Sequence, residues 1–380
     1  MYPRHSTKHT KTSQGCEITK KMLCASQLSL VLEHSFETKI NKARLKFISM
    51  MIIALCKVKK VNYMSLASAF DSCASAESSF RRIQRFMADF DFPMRMISIF
   101  IFSILPEKKH LILVLDRTNW KFGTSNINIL MLGICYKNIA LPIMFKMLDK
   151  RGNSDTNERI ELLTQFIDWF GKDCIDCLLA DREFIGHHWL DFLNKNKIRY
   201  YIRLRNNFKV FRFDKNEETP VFWLFNRLRM GEFLHHPKIV KINGVECYVS
   251  GMKQYDRTGK LDFLILVSFN KPEESLEYYR KRWQIETLFK AFKTSGFNIE
   301  ATHVTDQKRL EKLFMIVMLA LVWCYKIGDH VHEKIKPIKF KKHQRRAFSI
   351  FKYGLNQINN ILMNTLNKMN INVLQFLSCT

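Results

Sequence analysis

The chain has 380 residues, 47% hydrophobic and 25% charged, which is the composition of a globular protein long enough for two or three domains. Its 61 Lys and Arg stand against 35 Asp and Glu, a formal charge of +26. That self-repulsion is best tolerated beside a polyanion, and nucleic acid comes first because every phosphate neutralised releases counterions. A Lys-rich compositional bias would add lysines but would not account for the many arginines. A basic membrane-surface protein is the weaker reading, since no lipid anchor or basic amphipathic terminus is visible. The longest apolar run, Leu313–Tyr325, is too short to span a bilayer and reads as a buried helix, and MYPRHSTKHT has no signal-peptide core. A cytoplasmic location is therefore expected. Of ten cysteines only Cys174 and Cys177 form a CxxC, with no second pair to complete a zinc site, so they read as small buried residues in a reducing compartment.

In chain order, the first twenty or so residues are polar and rich in Lys, Thr and Ser, and disorder is expected there. From about Met22 to Phe92 the apolar spacing is helical, as in Leu45, Ile48, Met51, Ile52 and Leu55. Within it, Ser65–Met87 reads as a short helix, a turn and a helix carrying Arg81, Arg82 and Arg85. This suits either a helix-turn-helix reader of DNA or a small bundle with a basic face. From His110 the pattern changes to short apolar strands at Leu111–Asp116, Ile127–Cys135 and Ile139–Met147. An amphipathic helix over Asn157–Phe170, a strand at Ile175–Asp181, a helix over Gly186–Lys195 and a strand at Arg199–Leu204 follow. The order predicts an α/β domain with a mixed sheet. Phe208–Phe269 has short alternating segments (Lys238–Ile242, Glu246–Ser250, Phe263–Ser268) and turns at Asn243-Gly244 and Thr258-Gly259, which predict a β-rich insertion. From Glu274 the chain reads as helical to near its end. The expected divisions are a helical DNA-binding region over 1–105, a first catalytic part over 106–205, the insertion over 206–272, a second catalytic part over 273–330 and a helical region over 331–380. The basic run Lys339–Arg346 in the last would serve DNA or a second subunit.

Asp116 and Asp181 each close a hydrophobic strand, and function gathers at the carboxyl ends of strands in open α/β sheets. One such Asp often only caps a turn, but two on neighbouring buried strands are costly unless a cation neutralises them. Facing carboxylates suit hard divalent cations. A third carboxylate is supplied by Tyr278–Gly296, read as one helix. Tyr279, Arg282, Glu286 and Lys293 fall within roughly 60° of arc on its wheel, opposite Trp283, Ile285, Leu288, Phe289 and Phe292. By itself this face is also that of a solvated helix with ion pairs such as Glu286 with Lys290.

The spacing Tyr-x2-Arg-x3-Glu-x6-Lys resembles the YREK motif of the DDE transposases of bacterial insertion sequences. LDRTNWKFG around Asp116, ADREFIGHHW around Asp181 and TSGFNIEATH after Lys293 are similar to that family too. The resemblance covers about Leu111 to Val304, and more loosely the N-terminal basic helices. It implies a ribonuclease-H-like domain with a β-rich insertion before the last acidic residue, in keeping with the roughly 105 residues between Asp181 and Glu286. It also implies two Mg²⁺ (or Mn²⁺) per site on Asp116, Asp181 and Glu286, and in-line phosphoryl transfer on DNA. Tyr279, Arg282 and Lys293 would grip phosphates. The expected partners are double-stranded DNA (terminal inverted repeats and target) and a second copy of the chain in the synaptic complex, in a bacterial cytoplasm near the nucleoid. Hairpin formation in that group uses an insertion aromatic that stacks on a flipped base. Trp223 is the candidate, with a core role beside Phe222 and Phe225 as the slightly favoured alternative. Arg117 and Arg182, each following an Asp, would contact phosphate or hold a carboxylate. A nuclease without strand transfer, or a non-catalytic DNA-binding remnant, would share the sheet but would not need the complete set of motif residues.

Overall fold

The computed structural model describes residues 28–363 except 35, 37–39, 257 and 343. The expected disorder at the N-terminus, and the last part of the C-terminal region, lie outside the described residues. The chain divides into two compact units, one of Leu105–Phe289 and one of Met1–Ile104 with Lys290–Thr380.

The first unit is built on a mixed sheet of eleven strands among the described residues, ordered β3-β2-β1-β4-β5-β11-β10-β9-β6-β7, with β8 on β10. β1 (Leu111–Phe122), β2 (Ser125–Tyr136) and β3 (Ile139–Met147) form an antiparallel meander, while β4 (Ile175–Ala180) and β5 (Tyr200–Leu204) run parallel to β1. Their near-continuous Val, Ile and Leu match strands covered on both faces: Leu113, Val114, Ile129, Leu130, Cys177 and Leu178 are fully buried. Between β3 and β4 lies α5 (Thr156–Phe170), opened by a capping box in which Asp155 and Glu158 satisfy each other's backbone N–H. Helix α6 (His187–Lys195) joins β4 to β5.

The β-rich insertion continues this sheet and does not form a separate body. β11 (Leu261–Ser268) pairs antiparallel with β5 and then with β10 (Val245–Tyr255); β6 (Lys209–Arg212), β7 (Glu217–Pro220), β8 (Phe233–His235) and β9 (Val240–Ile242) lie beyond. The Asn243-Gly244 turn between β9 and β10 has φ of 49° and 81°, the left-handed pair a tight hairpin requires. His187 on α6 anchors it, its Nδ1 2.6 Å from the Asn243 carbonyl.

The second unit is helical: α1 (Lys42–Val58), α2 (Tyr63–Ser68), α3 (Ala76–Asp89), α4 (Met94–Ser103), α9 (Gln307–His330) and α10 (Ile350–Met363). Leu313–Tyr325 is buried on every side of α9, as its unbroken apolar run predicts. Among the described residues no helix is long and apolar enough to cross a membrane. Lys312 and Lys326 of α9 place their ammonium groups on the Phe90 and Ile104 carbonyls, at 2.7 and 2.9 Å, where α3 and α4 end, and so satisfy orphan carbonyls. α9 and α10 cross at Gly328 and Gly354, where any Cβ would run into the facing helix backbone.

Residues Ala69–Ser75 separate α2 from α3, longer than the three- or four-residue turn of a helix-turn-helix. Arg81, Arg82 and Arg85 are all exposed, with Arg82 stacked 4.8 Å over Phe47. One expectation is corrected here. The span Tyr278–Gly296 is two helices, α7 (Ser275–Arg280) and α8 (Trp283–Phe292), because the bonds Lys281 N–H to Tyr278 O and Arg282 N–H to Tyr279 O tighten to three-residue steps. Trp283, expected on the core side, is 46% exposed.

Candidate active site

Asp116 does not end its strand: β1 runs on to Phe122 as a hairpin with β2. What ends is the parallel pairing, whose last pair is Leu115 with Ala180. Asp116 and Asp181 each follow that pair, so the sheet opens at the level of two neighbouring carboxylates. Each carboxylate folds onto its own backbone. Asp116 Oδ1 accepts from the Arg117 N–H at 2.7 Å, and Asp181 Oδ1 from the Arg182 N–H at 2.8 Å.

α7 packs on β5 and β11, which brings Tyr279 and Arg282 over the strand ends. The Tyr279 hydroxyl donates to Asp181 Oδ1 at 3.3 Å. Arg282 spans the other two carboxylates, Nη1 at 3.3 Å from Asp116 Oδ2 and Nη2 at 2.8 Å from Glu286 Oε1. The sharpened turn at Lys281–Arg282 does not separate Tyr279, Arg282 and Glu286. Lys293 follows the end of α8, belongs to the helical unit, and pairs with Glu300 at 2.8 Å.

Burial pushes the Asp116 carboxyl up to about 7, against the pull of the Arg117 N–H and the Arg282 guanidinium; Asp181 and Glu183 add to the rise. Burial also raises the Tyr279 phenol, opposed by Arg282 and Arg203 and reinforced by Asp181. Burial works against the Arg282 charge, yet Tyr279, Asp181, Asp116 and Glu286 outweigh it and hold that pKa above its ordinary value. The donor chemistry, three carboxylates with two on adjacent strands, is that of a hard divalent cation. Among the described residues no three acidic, imidazole or thiol groups converge on one point. Glu286 is joined to Asp116 through Arg282.

Arg117 is taken up by Glu183 (Nε to Oε1 and Nη2 to Oε2, both 3.3 Å) and by Asn128 and Asn153 at 3.1 and 3.3 Å, so it holds protein groups. Arg182 is exposed. Trp223 is 64% exposed, against the core reading: Phe225 turns inward under Gly251, and the indole does not. Trp120 is buried. Two residues were missed from sequence. Arg203 follows Ile202, the β5 partner of Ala180, and binds Asp262 at 3.2 Å; an Arg inside the apolar strand YYIRL was its signal. Glu183 carried no signal beyond lying two residues after Asp181.

Comparison with known proteins places the chain among the transposases. It belongs to the transposase DDE domain family, whose match spans residues 107–323. No curated protein matches. Among solved structures, the chain is similar to a piggyBac transposase in a synaptic complex with hairpin DNA, at 13% identity, TM-score 0.46, covering 91% of this chain and 80% of that one.

Proposed function

We propose that this transposase cleaves the ends of its own element and joins them to target DNA by metal-dependent phosphoryl transfer at Asp116, Asp181 and Glu286. The observation that carries the reading is the Arg282 bridge, which binds the helix carboxylate Glu286 to Asp116, one of the two carboxylates where the parallel pairing of β1 and β4 ends. The strand order β3-β2-β1-β4-β5 supports a ribonuclease-H-like core. Asp116, Asp181 and Glu286 would hold two Mg²⁺ or Mn²⁺ ions. When bound, such ions activate the attacking oxygen and stabilise the leaving one. The chain's own groups position and neutralise: Tyr279 orients Asp181, and Arg282 offers a planar fork suited to a phosphate. Lys293 and Arg182 add positive charge for the DNA backbone, as do Arg81 and Arg85 on the exposed side of α3. Arg82 would add charge over Phe47. Trp223, exposed in the insertion, suits stacking on a flipped base in a hairpin pathway. A second copy of the chain on the paired ends, in a bacterial cytoplasm, completes the proposal.

The test is cleavage of a plasmid carrying the element's terminal inverted repeats. Asp116→Ala, Asp181→Ala and Glu286→Ala should each abolish cutting and leave end binding nearly intact, and EDTA should stop the wild type. Cutting that survives EDTA, or equal loss of end binding in all three variants, overturns the assignment. Cut ends that never join a target would indicate a nuclease only.

A further inference from the structure

Asp116 and Asp181 hang from the backbone of the residue that follows each, through the Arg117 and Arg182 N–H groups. Whatever fixes residues 117 and 182–183 therefore fixes the distance between the carboxylates. Arg117 reaches from the first segment to the second and grips Glu183 with two nitrogens on two oxygens. The pair is partly shielded, with side chains 14% and 21% exposed, and a bidentate fork fixes direction as well as distance. The same guanidinium binds Asn128 of β2 and Asn153, and Asn128 in turn donates to the Lys150 and Gly152 carbonyls at 3.0 and 2.9 Å. From α5 the buried Arg159 donates to the Ser154 hydroxyl at 2.8 Å and to the Glu183 carbonyl at 3.2 Å. Arg117, Asn128, Asn153 and Glu183, up to 66 positions apart in the chain, are thus tied at one guanidinium.

We propose that the Arg117–Glu183 pair is a positioning clamp that sets the spacing of Asp116 and Asp181 for cation binding. Arg117 is then a positioning residue and not a phosphate contact. The proposal rests on the metal-site reading above for its purpose, but its geometry can be tested without any metal.

The experiment uses the full chain and three variants, Arg117→Ala, Arg117→Lys and Glu183→Gln, each checked for a cooperative thermal transition. Amide hydrogen exchange is followed in EDTA. Glu183→Gln should speed exchange at the Arg117 N–H, and Arg117→Ala at the Arg182 N–H, each across to the other strand. Mn²⁺ binding, read by electron paramagnetic resonance, should weaken about 10-fold in each, the scale for losing a group that orients metal ligands. Affinity for a duplex of the element's end in EDTA should not change. Arg117→Lys separates the roles, because lysine keeps the charge and loses the fork: it should behave like Arg117→Ala. Exchange that rises only on the mutated strand overturns the clamp. So does lost duplex affinity in Arg117→Ala that Arg117→Lys restores, which would make Arg117 a phosphate contact. Mn²⁺ binding that Asp116→Asn leaves untouched would overturn the metal-site reading instead, while the exchange data still decide the clamp.

Discussion

Arg282 lies across the opening of the sheet with Nη1 3.3 Å from Asp116 Oδ2, and its other terminal nitrogen holds Glu286. One guanidinium therefore joins a residue of β1 to one of α8 more than a hundred positions later in the chain. Only 11% of its side chain is exposed, so the charge is retained because carboxylates surround it, and removing it leaves them unpaired.

Arg282→Ala should therefore lower stability in EDTA by about 3 kcal/mol, the scale for breaking a buried ion pair. Saturating Mg²⁺ should restore more stability to the variant than it adds to the wild type, because a cation takes over the lost charge. Thermal melts with and without Mg²⁺ measure this. Equal stabilisation of both proteins would mean that Arg282 and the ion do not share carboxylates.

The Asp116 carboxyl, raised by burial to about 7, makes stability depend on pH in a fixed direction. Its folded-state value lies above its unfolded one. The native state thus holds the proton more tightly, and the stability this provides is present below about pH 4 and lost as the pH rises to about 7. Asp116→Asn cannot lose it. In EDTA the variant should melt with the wild type near pH 4 and above it at pH 8, by roughly 4 kcal/mol at most. A gap that shrinks with rising pH would contradict the burial of this carboxyl.

Trp223→Ala should change stability by less than about 0.5 kcal/mol, as expected for an exposed side chain. First-strand nicking of an end duplex should persist while hairpin product falls. Loss of nicking and hairpin together, or a large drop in melting temperature, would return the indole to a structural role.

Gly354→Ala should destabilise the helical unit by about 3 kcal/mol or more, because the added methyl meets backbone and not a movable side chain. Gly152→Ala provides the contrast: nothing lies near its Cβ, and only its φ of +85° is strained, worth about 1 kcal/mol. Denaturant titrations of both compare crowding with backbone strain. Equal losses would mean that α9 and α10 separate freely at their crossing.

Much of the sheet was readable because a strand covered on both faces must be apolar along its whole length. LILVLD, IDCLLA and YYIRL are short, largely apolar runs of this kind. The Asn243-Gly244 hairpin was legible for a similar local reason, its left-handed backbone. The break between α7 and α8 was not legible, because Lys281 and Arg282 are ordinary helix formers and only the demands of packing sharpen the turn. The continuation of β1 past Asp116 was hidden in the polar run RTNWKF, which pairs as a hairpin through backbone bonds that its side chains do not announce.

The sequence by itself determined the carboxylates, the charge and the motif around Glu286, since these are matters of residue type and short spacing. The tertiary structure alone decided what each arginine does. Arg282, Arg117 and Arg203 carry the same guanidinium. One bridges Asp116 to Glu286, one grips Glu183 and one binds Asp262. Which carboxylate a guanidinium meets depends on contacts between strands and helices far apart in the chain, and no local pattern encodes that.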